Sequence, residues 1–294
     1  MVSLIGCKGM LGLEIARQLT ELKVDFCASG REVDITQLSS LLDFSADKKI
    51  DYIINCAAYN FVDKAESQEA EAFKVNQKGP ENIALLAKKI GAKLIHISTD
   101  YVFDGKKTSP LLEDDPTNPI SLYGKSKLLG EIAVKENLTE HYIIRTSWLY
   151  GFEGKNFVYT ILKLINSKES IKVVNDQIGS PTFAFDLAKV IISIFQNDNL
   201  PYGIYNYSDA GQISWWEFAK EIQKIAIDRK LIQNLKCNII SSPSAQYPAI
   251  AKRPAYSVLS TKKIQEALNI KIPDWKESLT AFFNSSYFNK ERIL

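Results

Sequence analysis

The sequence predicts an α/β fold, a doubly wound parallel sheet with a smaller α/β lobe, and three observations predict it. Short apolar runs alternate with helical stretches through the first half of the 294 residues. A glycine-rich turn follows the first of those runs, where a sheet of this kind opens its first helix. After about residue 150 the alternation gives way to a different mixture of helices and short strands.

Residues 2–5 read as the first strand. No basic segment followed by a long apolar core precedes them, so the amino terminus does not read as a signal peptide. Leu11, Ile15, Leu19 and Leu22 then recur at helical spacing and give one apolar face. Residues 24–28, 52–56, 93–98 and 142–146 are the next strands. Residues 65–90 carry helical periodicity interrupted at Gly79-Pro80, a boundary or a kink. Further on, 156–165 is helical, 171–174 a strand, 183–195 an apolar helix and 205–207 a strand. Another helix begins near Ser214, an N-cap with Glu217 at the capping-box position. Residues 241–254 hold three prolines and read as a loop. The expected division gives residues 1–150 plus about 183–207 to a sheet domain. About 151–182 and 208–294 form the lobe over its open edge.

Composition excludes several classes. Thirty-six basic and 34 acidic side chains leave a net charge of +2, so there is no clustered basic excess for nucleic acid. No apolar run approaches the ~20 residues that span a bilayer, so no membrane partner is expected. Cys7, Cys27, Cys56 and Cys237 lack CxxC spacing and read as free thiols of a cytoplasmic protein. His96 and His141 lie at strand positions and read as structural, and no metal site is expected from these residues.

Gly6, Gly9 and Gly12 punctuate the turn after the first strand in the spacing GxxGxxG. Glycines there let backbone N–H groups approach a pyrophosphate at the positive end of the helix, the Rossmann-like way of holding a dinucleotide. A plain strand–helix turn would use the same residues. The end of the second strand discriminates cofactors: an acidic residue takes the ribose 2′-hydroxyl, a basic one accepts a 2′-phosphate. Arg31 at that place favours NADPH, with NADH the alternative if Arg31 is only a solvated charge. Asp34 and Ile35 would flank the adenine.

Tyr123 and Lys127 stand at i and i+4, one turn apart on one helix face. Reducing a ketone requires a proton at its oxygen as hydride reaches carbon. A phenol with an ordinary pKa of about 10 suits that task if a nearby ammonium lowers it. Lys127 is placed to do so and to hold the nicotinamide ribose, while Thr99 at the end of the fourth strand can bond the same carbonyl oxygen. A surface Tyr-x-x-x-Lys pair is the plain alternative. The glycine turn and Ser98-Thr99 at a strand end argue against it, because all three parts converge where doubly wound sheets bind ligands.

With these residues the sequence resembles the extended short-chain dehydrogenase/reductase superfamily, and within it the dTDP-4-dehydrorhamnose reductase family. The resemblance runs nearly end to end. Its pieces are Gly6 to Gly12, Asn55-Cys56-Ala57-Ala58-Tyr59, Val62-Asp63-Lys64-Ala65-Glu66 and Ser98-Thr99-Asp100-Tyr101-Val102-Phe103-Asp104-Gly105. They continue with Tyr123-Gly124-Lys125-Ser126-Lys127, Arg145-Thr146-Ser147-Trp148, Asp176-Gln177, Gly179-Ser180-Pro181-Thr182 and Arg253-Pro254. The resemblance implies hydride transfer to C4 of a nucleotide-linked 4-dehydro-6-deoxy sugar, with Tyr123 as proton donor, Lys127 tuning it and Thr99 orienting the carbonyl. It implies that Gly9, Met10 and Leu11 pack against the pyrophosphate and that Ala57, Ala58 and Tyr59 line the cofactor. It further implies that Asp100 and Trp148 touch the sugar, with Gln177, Thr182 and Arg253 toward the nucleotide-sugar end and the lobe as the substrate-binding part.

Cys56 and Asn60 depart from the alanine and threonine common in that family. Some members bind Mg2+ at a dimer contact through a glutamate in the first helix and another just after the Pro-Thr segment. Glu14 matches the first, but Phe185 stands at the second, so neither that metal site nor its dimer is expected and the chain is a monomer or a homodimer of another kind. Two rival functions share the fold. A nucleotide-sugar dehydratase with bound NAD would carry a second carboxylate after the threonine's neighbour, where this chain has Thr99-Asp100-Tyr101, and an epimerase would lack the run from Asp100 to Gly105. A non-catalytic subunit resembling the regulatory subunit of methionine adenosyltransferase would lack the threonine and the Arg-Thr-Ser-Trp segment that are present here.

Overall fold

In a computed structural model, which describes residues 1–293 except 198 and 235, six parallel strands form the central sheet. They are β1 (Val2–Ile5), β2 (Phe26–Ser29), β3 (Tyr52–Asn55), β4 (Lys93–Thr99), β5 (His141–Thr146) and β10 (Gly203–Tyr207). Their order is β10-β5-β4-β3-β1-β2. The chain leaves β1 toward β2 on one side and returns to build β3 on the other. The order therefore reverses at the β1/β3 junction, where open α/β sheets form a ligand crevice at the strands' carboxyl ends.

Side chains alternate across the sheet, as the strand period requires. Leu4, Ile54, Ile95, Tyr142 and Ile144 point to a face covered by α1 (Met10–Glu21) and α8 (Ala184–Phe195). Ile5, Ile53, Leu94 and Ile143 point the other way, under α2 (Leu38–Ser45), α5 (Gly79–Ile90) and α6 (Leu122–Asn137). The predicted strands all form, with ends moved by one or two residues. The helical stretch 65–90 has a boundary at Gly79-Pro80, as expected. Two short helices, α3 (Val62–Ala65) and α4 (Glu69–Phe73), are followed by a π turn over residues 74–78, and Gly79-Pro80 open α5, where proline's missing N–H costs no hydrogen bond.

Beyond β5 the chain builds β6 (Leu149–Tyr150), α7 (Phe157–Ser167), β7 (Ser170–Val174), β8 (Ile178–Gly179) and β9 (Thr182–Phe183). After β10 come β11 (Ile213–Ser214), α9 (Trp215–Asp228), β12 (Asn238–Ser242), α10 (Lys262–Leu268) and α11 (Trp275–Asn284). A second, aromatic core forms here around Tyr150, Phe152, Phe183, Phe218 and Phe282. Ser214 caps α9 with Glu217 completing the capping box. β12 reaches two residues into the stretch predicted as a loop, because it pairs in parallel with β7. Among the described residues, no helix is long and apolar enough to cross a membrane.

Candidate active site

The first wall of the crevice is the turn between β1 and α1. Gly6 adopts φ +81°, and a Cβ there would stand 2.6 Å from the Ala57 nitrogen. Only glycine combines that backbone with so close an approach of the β3 loop. α1 starts at Gly9 without a capping side chain and with no acidic residue in its first turn. Its amide-rich, positive end is thus left to an anion, a fit for a dinucleotide's pyrophosphate. The Met10 side chain turns toward Gly151 and Gly154 in the loop after β6, while Leu11 is buried against the sheet.

At the end of β2, Arg31 is exposed. Glu32 beside it accepts from the Gly30 amide at 2.5 Å and from Lys8 of the glycine turn at 3.0 Å. Lys8 and Arg31 thus give two cations near the β2 end, the first unforeseen from sequence. Asp34 is engaged locally, accepting from the Thr36 amide and hydroxyl. Ile35 is buried against Gly79. Ala57, Ala58 and Tyr59 lie half-buried in the loop after β3. Asn76 fixes that loop: it accepts from the Tyr59 amide at 2.8 Å and donates to the Tyr59 carbonyl and the Ser126 hydroxyl, each at 3.0 Å. Its π turn hides inside continuous helical periodicity, so no sequence signal singles it out.

Tyr123, Lys127, Thr99 and Asp100 meet between α6 and the end of β4. The Thr99 hydroxyl donates to Asp100 Oδ1 at 3.0 Å and is the polar neighbour of the Tyr123 phenol. Ser121 caps α6, accepting from the Gly124 amide, and so fixes the first turn that carries Tyr123. The Tyr123 ring packs edge-on against Tyr101 at 5.4 Å. Burial pushes the phenol up to about 12, opposed by the nearby Thr99 hydroxyl. The downward shift expected from Lys127 is therefore not the balance struck in this pocket. Burial brings the Lys127 ammonium down to about 8, opposed by Glu131 and Cys56. Glu131 itself pairs with Arg145 at 2.7 Å, fully out of solvent, and accepts from Ser98 at 2.5 Å. Asp100 is raised to about 6 by burial, with Ser257 and Thr99 as polar neighbours, and its Oδ2 has no hydrogen-bond partner.

The remaining predicted residues line the lobe side. Trp148 sits between β5 and β6 with φ +47°. Thr182 is wholly buried, its hydroxyl bonded to Thr146 at 3.3 Å. Gln177 is half-buried beside β8. Arg253 is bound to Asp63 of α3 at 2.8 Å.

The donor set around Glu14 does not suit a divalent cation. Arg17 pairs with one carboxylate oxygen and reaches the other at 3.3 Å, Gln18 donates at 2.7 Å, and the Phe185 ring faces the guanidinium at 5.4 Å. Among the described residues, no group of three or more His, Cys, Asp or Glu side chains could hold a metal ion.

The profile of the family described as "RmlD substrate binding domain" matches residues 1–288. The spore coat polysaccharide biosynthesis protein SpsK of Bacillus subtilis is 41% identical, over 96% of each chain. A dTDP-4-dehydrorhamnose reductase of Burkholderia thailandensis is 37% identical over 92% of this chain and 94% of its own. The crystal structure of dTDP-4-dehydrorhamnose reductase from Bacillus anthracis in complex with NADP superposes with a TM-score of 0.89 at 38% identity, covering 96% of this chain and 98% of the other. With sheet order, glycine turn and Tyr–Lys helix in place and the match running through nearly the whole chain, this protein belongs to the RmlD family, that of the dTDP-4-dehydrorhamnose reductases.

Proposed function

We propose that the chain reduces the C4 keto group of dTDP-4-dehydro-L-rhamnose with NADPH, giving dTDP-L-rhamnose. The observation that carries this reading is the buried Tyr123 phenol with the Thr99 hydroxyl as its polar neighbour, one turn from Lys127, in a fold whose first helix starts without a capping side chain. NADPH, when bound, supplies the hydride that adds to C4. The amides of Gly9, Met10 and Leu11 at the start of α1 take its pyrophosphate, Gly6 and Gly12 let the turn close tightly enough to aim them, and Arg31 with Lys8 answers a 2′-phosphate. Ala57, Ala58 and Tyr59 form the wall along the cofactor.

Tyr123 is the proton donor. At about 12 the phenol stays protonated at neutral pH, yet it remains more acidic than a new alkoxide, whose conjugate acid lies near water's value of about 15.7. Thr99 orients the carbonyl oxygen against that phenol. Lys127 holds the ribose through its ammonium. Asp100 Oδ2, buried and without a partner, accepts a sugar hydroxyl. Gln177, Thr182 and Arg253 are the contacts toward the nucleotide end. The same reading gives residues 1–150 plus about 183–207 to the cofactor and the remainder to the substrate. It also places the reaction in the cytoplasm, ahead of assembly of a surface polysaccharide, in line with the name of the Bacillus subtilis relative.

The test is NADPH oxidation by purified protein with dTDP-4-dehydro-L-rhamnose, followed by identification of the sugar. Stoichiometric oxidation with dTDP-L-rhamnose as product is expected. A sugar changed without net NADPH loss would instead indicate an epimerase or dehydratase.

A further inference from the structure

Trp148 departs from ordinary backbone geometry, and its surroundings explain how that is sustained. Its φ of +47° is a left-handed conformation that a bulky residue adopts only when neighbours hold it. Here Ser147 donates to the Ser180 carbonyl at 2.7 Å, and the Thr182 amide donates to the Trp148 carbonyl at 3.3 Å. The backbone is thus pinned to the segment carrying Gly179.

Both faces of the indole are covered. Trp215 stacks on one, with ring centroids 3.5 Å apart and planes 10° from parallel. On the other lies the Gly179 backbone: a Cβ built there would stand 2.5 Å from Cε2, 2.7 Å from Cζ2 and 2.8 Å from Nε1. An atom approaching in the ring plane would come nearer to Cζ2 and Nε1 than to Cε2, so Gly179 stands over the ring face. It cannot share a face with Trp215, whose ring already fills the layer about one stacking distance away. One pairing sets both covers. Gly179 is registered opposite Ile213 in the β8/β11 pair, and Trp215 follows two residues later at the start of α9. Phe157 supports Trp215 from behind at 4.5 Å.

A ring with both faces occupied cannot stack on a sugar or a base. We propose that Trp148 meets the nucleotide sugar by its edge alone, offering the indole N–H, and that Trp215 and Gly179 are the positioning residues that hold it so. The inference rests on the reading of Trp148 as a substrate contact. Its place supports that: Trp148 follows Thr146 by two residues, and Thr146 pairs with Thr99 beside Tyr123. An edge held at fixed depth constrains which ring position of the sugar reaches the Thr99–Tyr123 pair. Trp215 should therefore influence turnover as well as affinity.

The experiment compares wild type with Trp215→Leu, Trp215→Phe and Gly179→Ala, reading steady-state kinetics, calorimetric binding of dTDP-L-rhamnose, NADPH affinity and the circular-dichroism exciton couplet of two stacked indoles. Trp215→Leu should lose the couplet, raise KM for the nucleotide sugar about 3- to 10-fold and lower kcat, with NADPH affinity within about twofold of wild type. Trp215→Phe should lose the couplet yet recover most activity, because an aromatic face remains. Gly179→Ala, whose Cβ needs the indole's space, should behave like Trp215→Leu. A folded Trp215→Leu protein with no couplet but wild-type KM, kcat and product affinity overturns the inference. If wild type binds the nucleotide sugar without reducing it, the proposed reaction fails while the positioning role is still judged by affinity.

Discussion

Lys127 donates its Nζ proton to the main-chain carbonyl of Ile97 at 2.6 Å, a bond that fastens α6 to β4 and holds a charged group almost wholly out of water. Desolvation is the largest influence on that ammonium and brings it to about 8. Two opposite pH effects follow. The unfolded chain binds the proton up to its ordinary value of 10.5, so between about 8 and 10.5 the folded chain binds fewer protons and stability rises with pH. NADPH bound through the charged form should behave the other way. Its affinity is expected to be flat below pH 8 and to fall by up to about tenfold per pH unit above it. Lys127→Met should bind weakly with no such limb; a wild-type affinity independent of pH from 7 to about 9.5 would remove Lys127 from the cofactor.

Tyr123→Phe removes the proposed acid but leaves the ring's edge-on packing with Tyr101 available. Turnover should fall by about 10²-fold or more while NADPH affinity changes little. Near wild-type turnover in that variant refutes the assignment. Thr99→Val, which keeps the shape and deletes the hydroxyl, should lower kcat less severely.

The parts of this fold legible in the sequence are those set by local period. Strands of the parallel sheet, buried on both faces, read as apolar runs, and the Ser214–Glu217 capping box is a four-residue signal. Tyr123 and Lys127 were found because a helix relates residues four apart. Trp215 was not, because its pairing with Trp148 depends on the β8/β11 register and leaves no mark on local sequence. Glu131 likewise reads as an ordinary helical carboxylate; only the sheet beneath α6 turns it inward. The short helices α2, α10 and α11 carry too few turns for their periodicity to stand out, and the Lys8–Glu32 contact joins two loops.

Gly12 tests the cradle. A Cβ at that position would overlap the Gly6 carbonyl and crowd Cys7. Gly12→Ala must therefore push α1 away from the turn, spoiling the alignment of its amides with the pyrophosphate. NADPH affinity should drop more than about tenfold, a loss of at least about 1.4 kcal/mol of binding. Fluorescence titration measures this directly, and an unchanged Kd would show that the turn does not carry the cofactor.

Metal removal is expected to change nothing. Arg17 and Gln18 already satisfy the Glu14 carboxylate, and Arg17 is flanked by the rings of Phe185 and Tyr287. A cation would have to displace a guanidinium. Activity and Tm should be the same with EDTA as with millimolar Mg2+, and an EDTA-dependent loss of either would contradict the donor set read here.

The Glu131–Arg145 pair should prove costly to break, and its loss should be felt at the cofactor site. Arg145 makes a two-pronged contact with Glu131, donates to the Glu113 carbonyl at 3.0 Å and lies over the Phe103 ring at 5.0 Å. Glu131→Ala leaves that guanidinium buried without its counter-charge, which destabilises a fold by about 3–5 kcal/mol; chemical denaturation should show a lower midpoint. Glu131 is also the leading charge holding the Lys127 ammonium up against desolvation. In a folded Glu131→Gln protein Lys127 should therefore deprotonate below pH 8, moving the alkaline fall of NADPH affinity toward neutrality. A midpoint that drops while this pH limb stays in place would mean that Glu131 supports the fold alone and that Lys127 is charged by other means.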